Sequence, residues 1–174
     1  MQNPGWFILA GGTGGEKWEE ADKKMAMVKK KKVVVGGTFD IFHDGHKALL
    51  RKAFSLGEVT IGLTSNNWAE EIKKRKVRDF KHRKKELEDF VRKEFKVKPK
   101  IVKIEDKFGP TLKEDFDYIV VSPETYPKAI LINLKRKNIK KKLIKIVKVE
   151  FILDEDGKPI SATKIFKKIN KRRG

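Results

Sequence analysis

Residues 32–46 read Lys-Val-Val-Val-Gly-Gly-Thr-Phe-Asp-Ile-Phe-His-Asp-Gly-His. Three β-branched residues closed by paired glycines predict a short buried strand. A helical pattern follows over 47–56, with Ala48, Leu49, Leu50, Ala53 and Phe54 inward and Gly57 as the stop. A strand entering a helix through a glycine turn opens a βαβ unit. That unit puts the turn at the carboxyl end of the strand, where open α/β sheets hold ligands.

The turn carries chemistry. Gly36 and Gly37 are expected to let backbone approach a ligand and to take positive φ. Thr38 offers a hydroxyl at the strand end, and Asp44 is expected to cap the helix. The helix N-terminus favours a phosphate through its free N–H groups and dipole. Two of the chain's three histidines, His43 and His46, stand there three residues apart. Each can donate to a phosphate oxygen. Such a site holds a triphosphate with its α-phosphorus open to in-line attack, a reaction needing positioning and charge stabilisation but no covalent nucleophile. The turn is neither G-x-G-x-x-G nor G-x-x-x-x-G-K-[ST]. A His-x-x-His metal pair finds no third ligand, because His82 lies in a distant Lys-rich segment. No metal-ligating residue is assigned.

Outward from this turn, strands and helices alternate. Strands are predicted over 59–63, 100–104, 118–121 and 143–153, and helices over 79–95 and 124–137. Asp156-Gly157 makes a turn, and Ser161 caps a last helix through Asn170. The pattern is that of an α/β protein: a single Rossmann-like, doubly wound domain with a five-stranded parallel sheet and right-handed crossovers. The domain is assigned to residues 29–170. Residues 1–28, with the glycine run Gly11-Gly12-Thr13-Gly14-Gly15, read as a flexible or non-native extension that Met25 or Met27 could replace as the start. Residues 171–174 read as a basic tail.

The chain of 174 residues carries 43 Lys and Arg against 24 Asp and Glu, a net charge of +19. That charge invites a nucleic-acid reading. Only eight of the cations are arginine, however, whereas base and phosphate readers favour its bidentate fork. A Lys-rich chain without cysteine matches heat-adapted proteins, and the missing cysteine fits a reducing cytoplasm. No apolar run approaches the roughly 18 residues of a membrane-spanning helix.

GGTFDIFHDGH at 36–46 resembles the GTFDxxHxGH motif of the nucleotidylyltransferase superfamily, and ISATKI at 160–165 resembles its second motif, ISSTxIR. Within the superfamily the chain is similar to the archaeal phosphopantetheine adenylyltransferases. That likeness rests on GHKALLRKAF at 45–54, GLTSN at 62–66, FKHRKKEL at 80–87, VVSPETY at 120–126 and the segment with Ile132, Asn133 and Arg136. The family joins ATP and 4′-phosphopantetheine to give dephospho-coenzyme A and pyrophosphate.

The resemblance implies that His43, His46 and Thr38 act at the α-phosphate. Gly36, Gly37, Phe39, Ser122, Glu124, Ser161, Thr163 and Lys164 would bind the nucleotide. Thr38, Thr64, Ser65, Lys73 and Lys74 would bind the acceptor, the lysines from a mobile basic loop that includes Lys76. Asp40 reads as a loop brace and Arg83 as a core-edge ion pair. Mg²⁺ would arrive on the ATP phosphates. The second motif departs from its pattern twice: Ala162 stands for a serine and Phe166 for an arginine. Two other readings stay open: the same chemistry with another phosphorylated acceptor such as FMN or glycerol phosphate, and a non-catalytic protein that binds RNA through its lysines.

Overall fold

The computed structural model describes residues 30–171. The extension assigned to 1–28 and the tail residues 172–174 lie outside them. Five strands form one wholly parallel sheet: β1 (Lys32–Gly37), β2 (Glu58–Thr64), β3 (Lys100–Ile104), β4 (Tyr118–Val121) and β5 (Lys145–Lys148). Their order is β3-β2-β1-β4-β5. The chain steps outward from β1 to β3, then returns to pair β4 against the free side of β1. That reversal makes the switch point where doubly wound sheets bind ligands, and it falls at the strand the opening motif predicts.

The Val33-Val34-Val35 run is central because both of its faces are covered. Val33 and Val35 face a core built with Leu49, Leu50, Ala53, Leu87 and Val91. Val34 faces the opposite core, with Phe116, Ala129, Ile132 and Ile144. All three valines are at most 3% exposed. Burial of each stabilises the fold by about 1.5–3 kcal/mol relative to exposure. The edge strands are short and each carries two lysines, Lys100 and Lys103 on β3 and Lys145 and Lys148 on β5, which discourages edge-to-edge pairing.

Five helices complete the domain: α1 (Asp44–Leu56), α2 (Asn66–Lys73), α3 (Phe80–Phe95), α4 (Tyr126–Asn138) and α5 (Ala162–Lys171). Several expectations change. Helix α1 begins at Asp44, so Asp44 is its first residue rather than its cap. The cap position is His43, which makes no side-chain capping bond, and the Asp44 carboxylate pairs with Lys47 at 2.8 Å. Residues 66–73 form a helix where no element was assigned, and its last residue is Lys73 of the expected mobile loop; Ser65 caps it, its hydroxyl accepting from the Trp68 N–H. Lys73 is therefore a helical residue, and Lys76 is tied to Glu70 at 3.0 Å. Strand β5 ends at Lys148, well short of Leu153, because its partner β4 offers no residue beyond Val121.

Asn133 and Arg136 hold the far side of the sheet. The Asn133 amide donates to the Ile144 carbonyl and accepts from its N–H. Arg136 is fully buried and donates to the carbonyls of Lys142, Thr111 and Glu114 and to the Asp115 carboxylate.

Candidate active site

Above the carboxyl ends of β1 and β4 lies a cavity of about 320 Å³. The first turns of α1 and α5 and the turn entering α4 all reach its wall, through Gly45 and His46, Ala162 and Thr163, and Thr125 and Lys128. Convergent helix N-termini make an anion site from backbone alone.

Both motif histidines line this cavity, and their rings stack. Gly45 makes that possible. A Cβ there would lie 3.0 Å from two atoms of the His43 ring. His46 is held from the other side by Phe39 and Phe42, with ring centroids at 4.9 and 5.7 Å. Burial pushes His43 down to about 4; the neighbouring Asp44 opposes this and the Lys73 and Lys47 ammoniums add to it. Burial pushes His46 down to about 3, with His43 and Lys73 acting in the same direction. The Nδ1 atoms of both rings are buried and have no hydrogen-bond partner among the described residues. Unpaired polar atoms in a cavity wall point to a functional demand.

The loop before α1 is braced from beneath. The positive φ expected of Gly36 or Gly37 falls instead on Phe39, at 46°, while both glycines remain in β1. Such a conformation in a bulky residue persists only where its surroundings enforce it. Phe39 is 1% exposed and lies under Gly37, where a Cβ would approach its ring to 2.9 Å. Asp40, 2% exposed, accepts from Arg75 Nη1 at 2.7 Å and from the Arg78 N–H at 2.9 Å. Burial alone would raise its carboxyl; those partners outweigh it and hold the group below the usual carboxylate range. Arg83 is fully buried and, among the described residues, has no carboxylate at ion-pair distance, contrary to expectation. Its fork is satisfied by the carbonyls of Thr38 and Arg78 and by the Asn66 amide oxygen. Thr38 is thus fixed by an arginine from α3.

The cavity wall gathers Gly36, Gly37, Thr38, Phe39, His43, His46, Thr64, Lys73, Ser122, Glu124, Ser161 and Thr163. Ser65, Lys74 and Lys164 lie outside it. The Ser65 hydroxyl is committed to capping α2, Lys74 is the left-handed cap at the end of α2, and the Lys164 ammonium bonds the Pro159 carbonyl. Ser161 accepts from the Lys164 N–H at 3.3 Å, capping α5 while lining the cavity. Ser122 and Thr125 bond each other through their hydroxyls at 3.1 Å where β4 turns into α4.

Sequence reasoning missed one wall. Trp68 and Ile72 of α2, Ile104 at the end of β3, and Phe108 give the cavity an apolar flank. Trp68 and Ile72 are one helical turn apart, a signal hidden by the charged residues around them. Lys128 also reaches the cavity; burial and the Lys73 ammonium hold it below the ordinary lysine value. Among the described residues no three His, Asp or Glu side chains cluster to hold a metal ion, and no helix is long and apolar enough to cross a membrane.

A switch-point cavity with paired neutral imidazoles at one helix N-terminus and a second, hydroxyl-capped N-terminus in the same wall defines a nucleotide-handling α/β protein. Comparisons with known proteins agree. A profile of the cytidylyltransferase-like family matches residues 34–168. A phosphopantetheine adenylyltransferase of Archaeoglobus fulgidus is 46% identical over 136 residues, covering 77% of this chain and 91% of its own. One from Methanosarcina barkeri is 47% identical over 142 residues, covering 78% of this chain and 86% of its own. A solved Archaeoglobus fulgidus protein of unknown function matches with a TM-score of 0.66 at 43% identity, over 70% of this chain and 99% of that one. Tyrosyl-tRNA synthetase from the same organism shares the fold alone, at 14% identity and a TM-score of 0.58, over 84% of this chain and 63% of that one. The chain belongs to the cytidylyltransferase-like family and, within it, to the phosphopantetheine adenylyltransferases.

Proposed function

We propose that this protein transfers the adenylyl group of ATP to 4′-phosphopantetheine, giving dephospho-coenzyme A and pyrophosphate. The observation that carries the reading is the stacked, unprotonated pair His43 and His46 at the α1 N-terminus, lining one cavity together with the hydroxyl-capped start of α5. ATP lies over β1 and β4 with its triphosphate running toward Ser161 and Thr163. The acceptor lies over β2, its phosphate near Thr38 and Lys73 and its uncharged arm along Trp68, Ile72 and Phe108.

An oxygen of the acceptor phosphate attacks the α-phosphorus. The bond from that phosphorus to the bridging oxygen breaks, and pyrophosphate leaves with the electron pair. The attacking phosphate is already ionised, so no side chain must first remove a proton. The imidazoles, the α1 dipole and the Lys73 and Lys128 ammoniums stabilise charge that builds in the transition state. Mg²⁺ enters with ATP as its phosphate complex, keeping waters and phosphate oxygens as ligands; of the acids lining the cavity, Asp40, Asp106, Glu124 and Glu150, Asp40 is committed to arginines. The Lys-rich, cysteine-free composition supports a heat-adapted, cytoplasmic enzyme.

The test supplies MgATP with phosphopantetheine, FMN, nicotinamide mononucleotide or glycerol phosphate in turn and measures pyrophosphate. Release with phosphopantetheine alone is expected. Release with another acceptor would change the substrate, and release with none, together with RNA affinity that falls steeply with salt, would favour a binding protein.

A further inference from the structure

Helix α4 is apolar on two faces. Ala129 and Ile132 are buried against the sheet, with Arg136 beside them. Turned away from the sheet, Tyr126, Ile130 and Leu134 recur every fourth residue and so share one face. They are 41%, 40% and 55% exposed. Pro127 and Leu131, one position on, widen the same stripe. Ile139 and Leu143, in the segment joining α4 to β5, are 51% and 52% exposed. A surface helix of a globular domain carries polar residues outward, and a helix that is apolar all round is a covered one. Five large apolar side chains exposed within residues 126–143 mark an interaction surface rather than a scatter of single ones.

Charge decides what covers it. Residues 125–149 contain nine cations and no acidic residue. Arg136 is buried and pairs with Asp115, and Lys148 pairs with Glu150. Lys135, Lys137, Lys140 and Lys142 are exposed and, among the described residues, make no ion pair. At about 100° per residue, Lys137 borders the apolar stripe on one side and Lys135 on the other. A second copy of the chain would bring two lysine-edged ridges together, with Glu124 as the sole acid between Asp117 and Glu150 to answer them. None of Tyr126, Ile130 and Leu134 lines the cavity. Their face is the convex side of a helix, which enters a deformable medium without needing a matching groove. An apolar stripe edged by lysines is the form of a helix lying in the interface of an anionic bilayer: aliphatic side chains pass between headgroups, and lysine stems reach back to the phosphates.

We infer that α4 docks this protein on the surface of an anionic lipid bilayer. Tyr126, Ile130 and Leu134 enter the interface, and Lys135 and Lys137 pair with lipid phosphates. The contact is peripheral, since no helix among the described residues is long and apolar enough to cross a membrane. It is independent of the reaction run in the cavity.

The chain has no cysteine, so one engineered thiol labels one position. Leu134→Cys carrying the environment-sensitive nitrobenzoxadiazole group should brighten and shift to shorter wavelength on vesicles of phosphatidylglycerol and phosphatidylcholine in equal parts. The same label at Lys52→Cys, exposed on α1 across the sheet, should stay in water. Co-sedimentation of the unlabelled chain with these vesicles should weaken with salt and be slight on phosphatidylcholine alone. Ile130→Gln/Leu134→Gln changes only exposed positions and keeps every charge; it should lose about tenfold or more of the partition. An equal shift at both labels, or undiminished binding of the double variant, would reduce the contact to general lysine attraction and overturn the role of α4. Dimers of the wild type in sedimentation velocity that the double variant dissolves would give the face to a second copy instead. An absence of vesicle binding would overturn the inference outright.

Discussion

The imidazole rings of His43 and His46 stack with their centroids 3.8 Å apart and their planes 21° from parallel. Two protonated rings could not share that arrangement without strong repulsion, and burial holds both far below the ordinary histidine value of 6.5, at about 4 and about 3. Protonation therefore favours the unfolded chain. The stability these two neutral rings contribute is present above about pH 6.5 and is lost as the pH falls from there toward their folded values. Thermal unfolding at about pH 7.5 and about pH 5 reads this in a window above most carboxylate titrations. The wild type should lose more Tm between the two than a His43→Asn/His46→Asn variant. Equal losses would mean that the rings titrate normally in the fold.

His46→Asn separates function from folding. The ring is flanked by Phe39 and Phe42, and asparagine keeps a polar side chain at a position beside the Ile41 backbone. Turnover should fall about 100- to 1000-fold, the range for removing one preorganised donor from a charged transition state, with the denaturant midpoint little changed. A variant with near wild-type turnover would remove His46 from the chemistry.

Gly45→Ala should push stability and activity in opposite directions. Gly45 lies in the first turn of α1, where alanine is intrinsically favoured by up to about 1 kcal/mol. Its Cβ would crowd the His43 ring at 3.0 Å and force that ring from its stack. The expected outcome is an unchanged or raised Tm with clearly lower turnover. A variant that keeps full turnover would show that the stacked position of His43 is dispensable.

What was legible in the sequence follows from what local pattern can carry. Val33–Gly37 and the histidine turn were readable because β-branched residues, glycines and histidines there serve local geometry and chemistry together. Strand β3 and strand β4 match their predicted limits for the same reason, since each is a short apolar run with a clear boundary. Helix α2 was hidden because its buried contribution is small: Ala69 is its only fully buried residue, and its first turn is two asparagines. Strand β5 was overdrawn because the alternation from Ile144 to Leu153 continues past the point where β4 can pair with it. Arg83 reads from sequence as a core-edge ion pair, and Arg136 carries no assignable role there; the structure buries both completely. Each in fact lies on the apolar stripe of its helix, Arg83 with Leu87 and Val91, and Arg136 with Ala129 and Ile132. An arginine at an inward position among outward lysines was the available signal. Its acceptors are carbonyls remote in sequence, which no periodicity reveals.

Arg83 yields the sharpest test of how the fold supports the site. One guanidinium reaches the Thr38 and Arg78 carbonyls at 2.7 Å each and the Asn66 amide oxygen at 2.9 Å, joining β1, the start of α2 and α3. Lysine keeps the charge but not the planar fork, so Arg83→Lys should leave at least one buried acceptor unpaired and an ammonium poorly solvated. Each such orphan costs about 1–3 kcal/mol. The urea midpoint should fall by an amount equivalent to about 3 kcal/mol with an unchanged slope, the mark of lost stability rather than an altered transition. Turnover measured well below the new midpoint should fall as well, because the Thr38 carbonyl loses the contact that fixes the loop between β1 and His43. A wild-type midpoint would show that a single ammonium can serve all three acceptors. A lowered midpoint with full turnover would show that the loop keeps its shape without Arg83, leaving Phe39 and Asp40 as its sufficient supports.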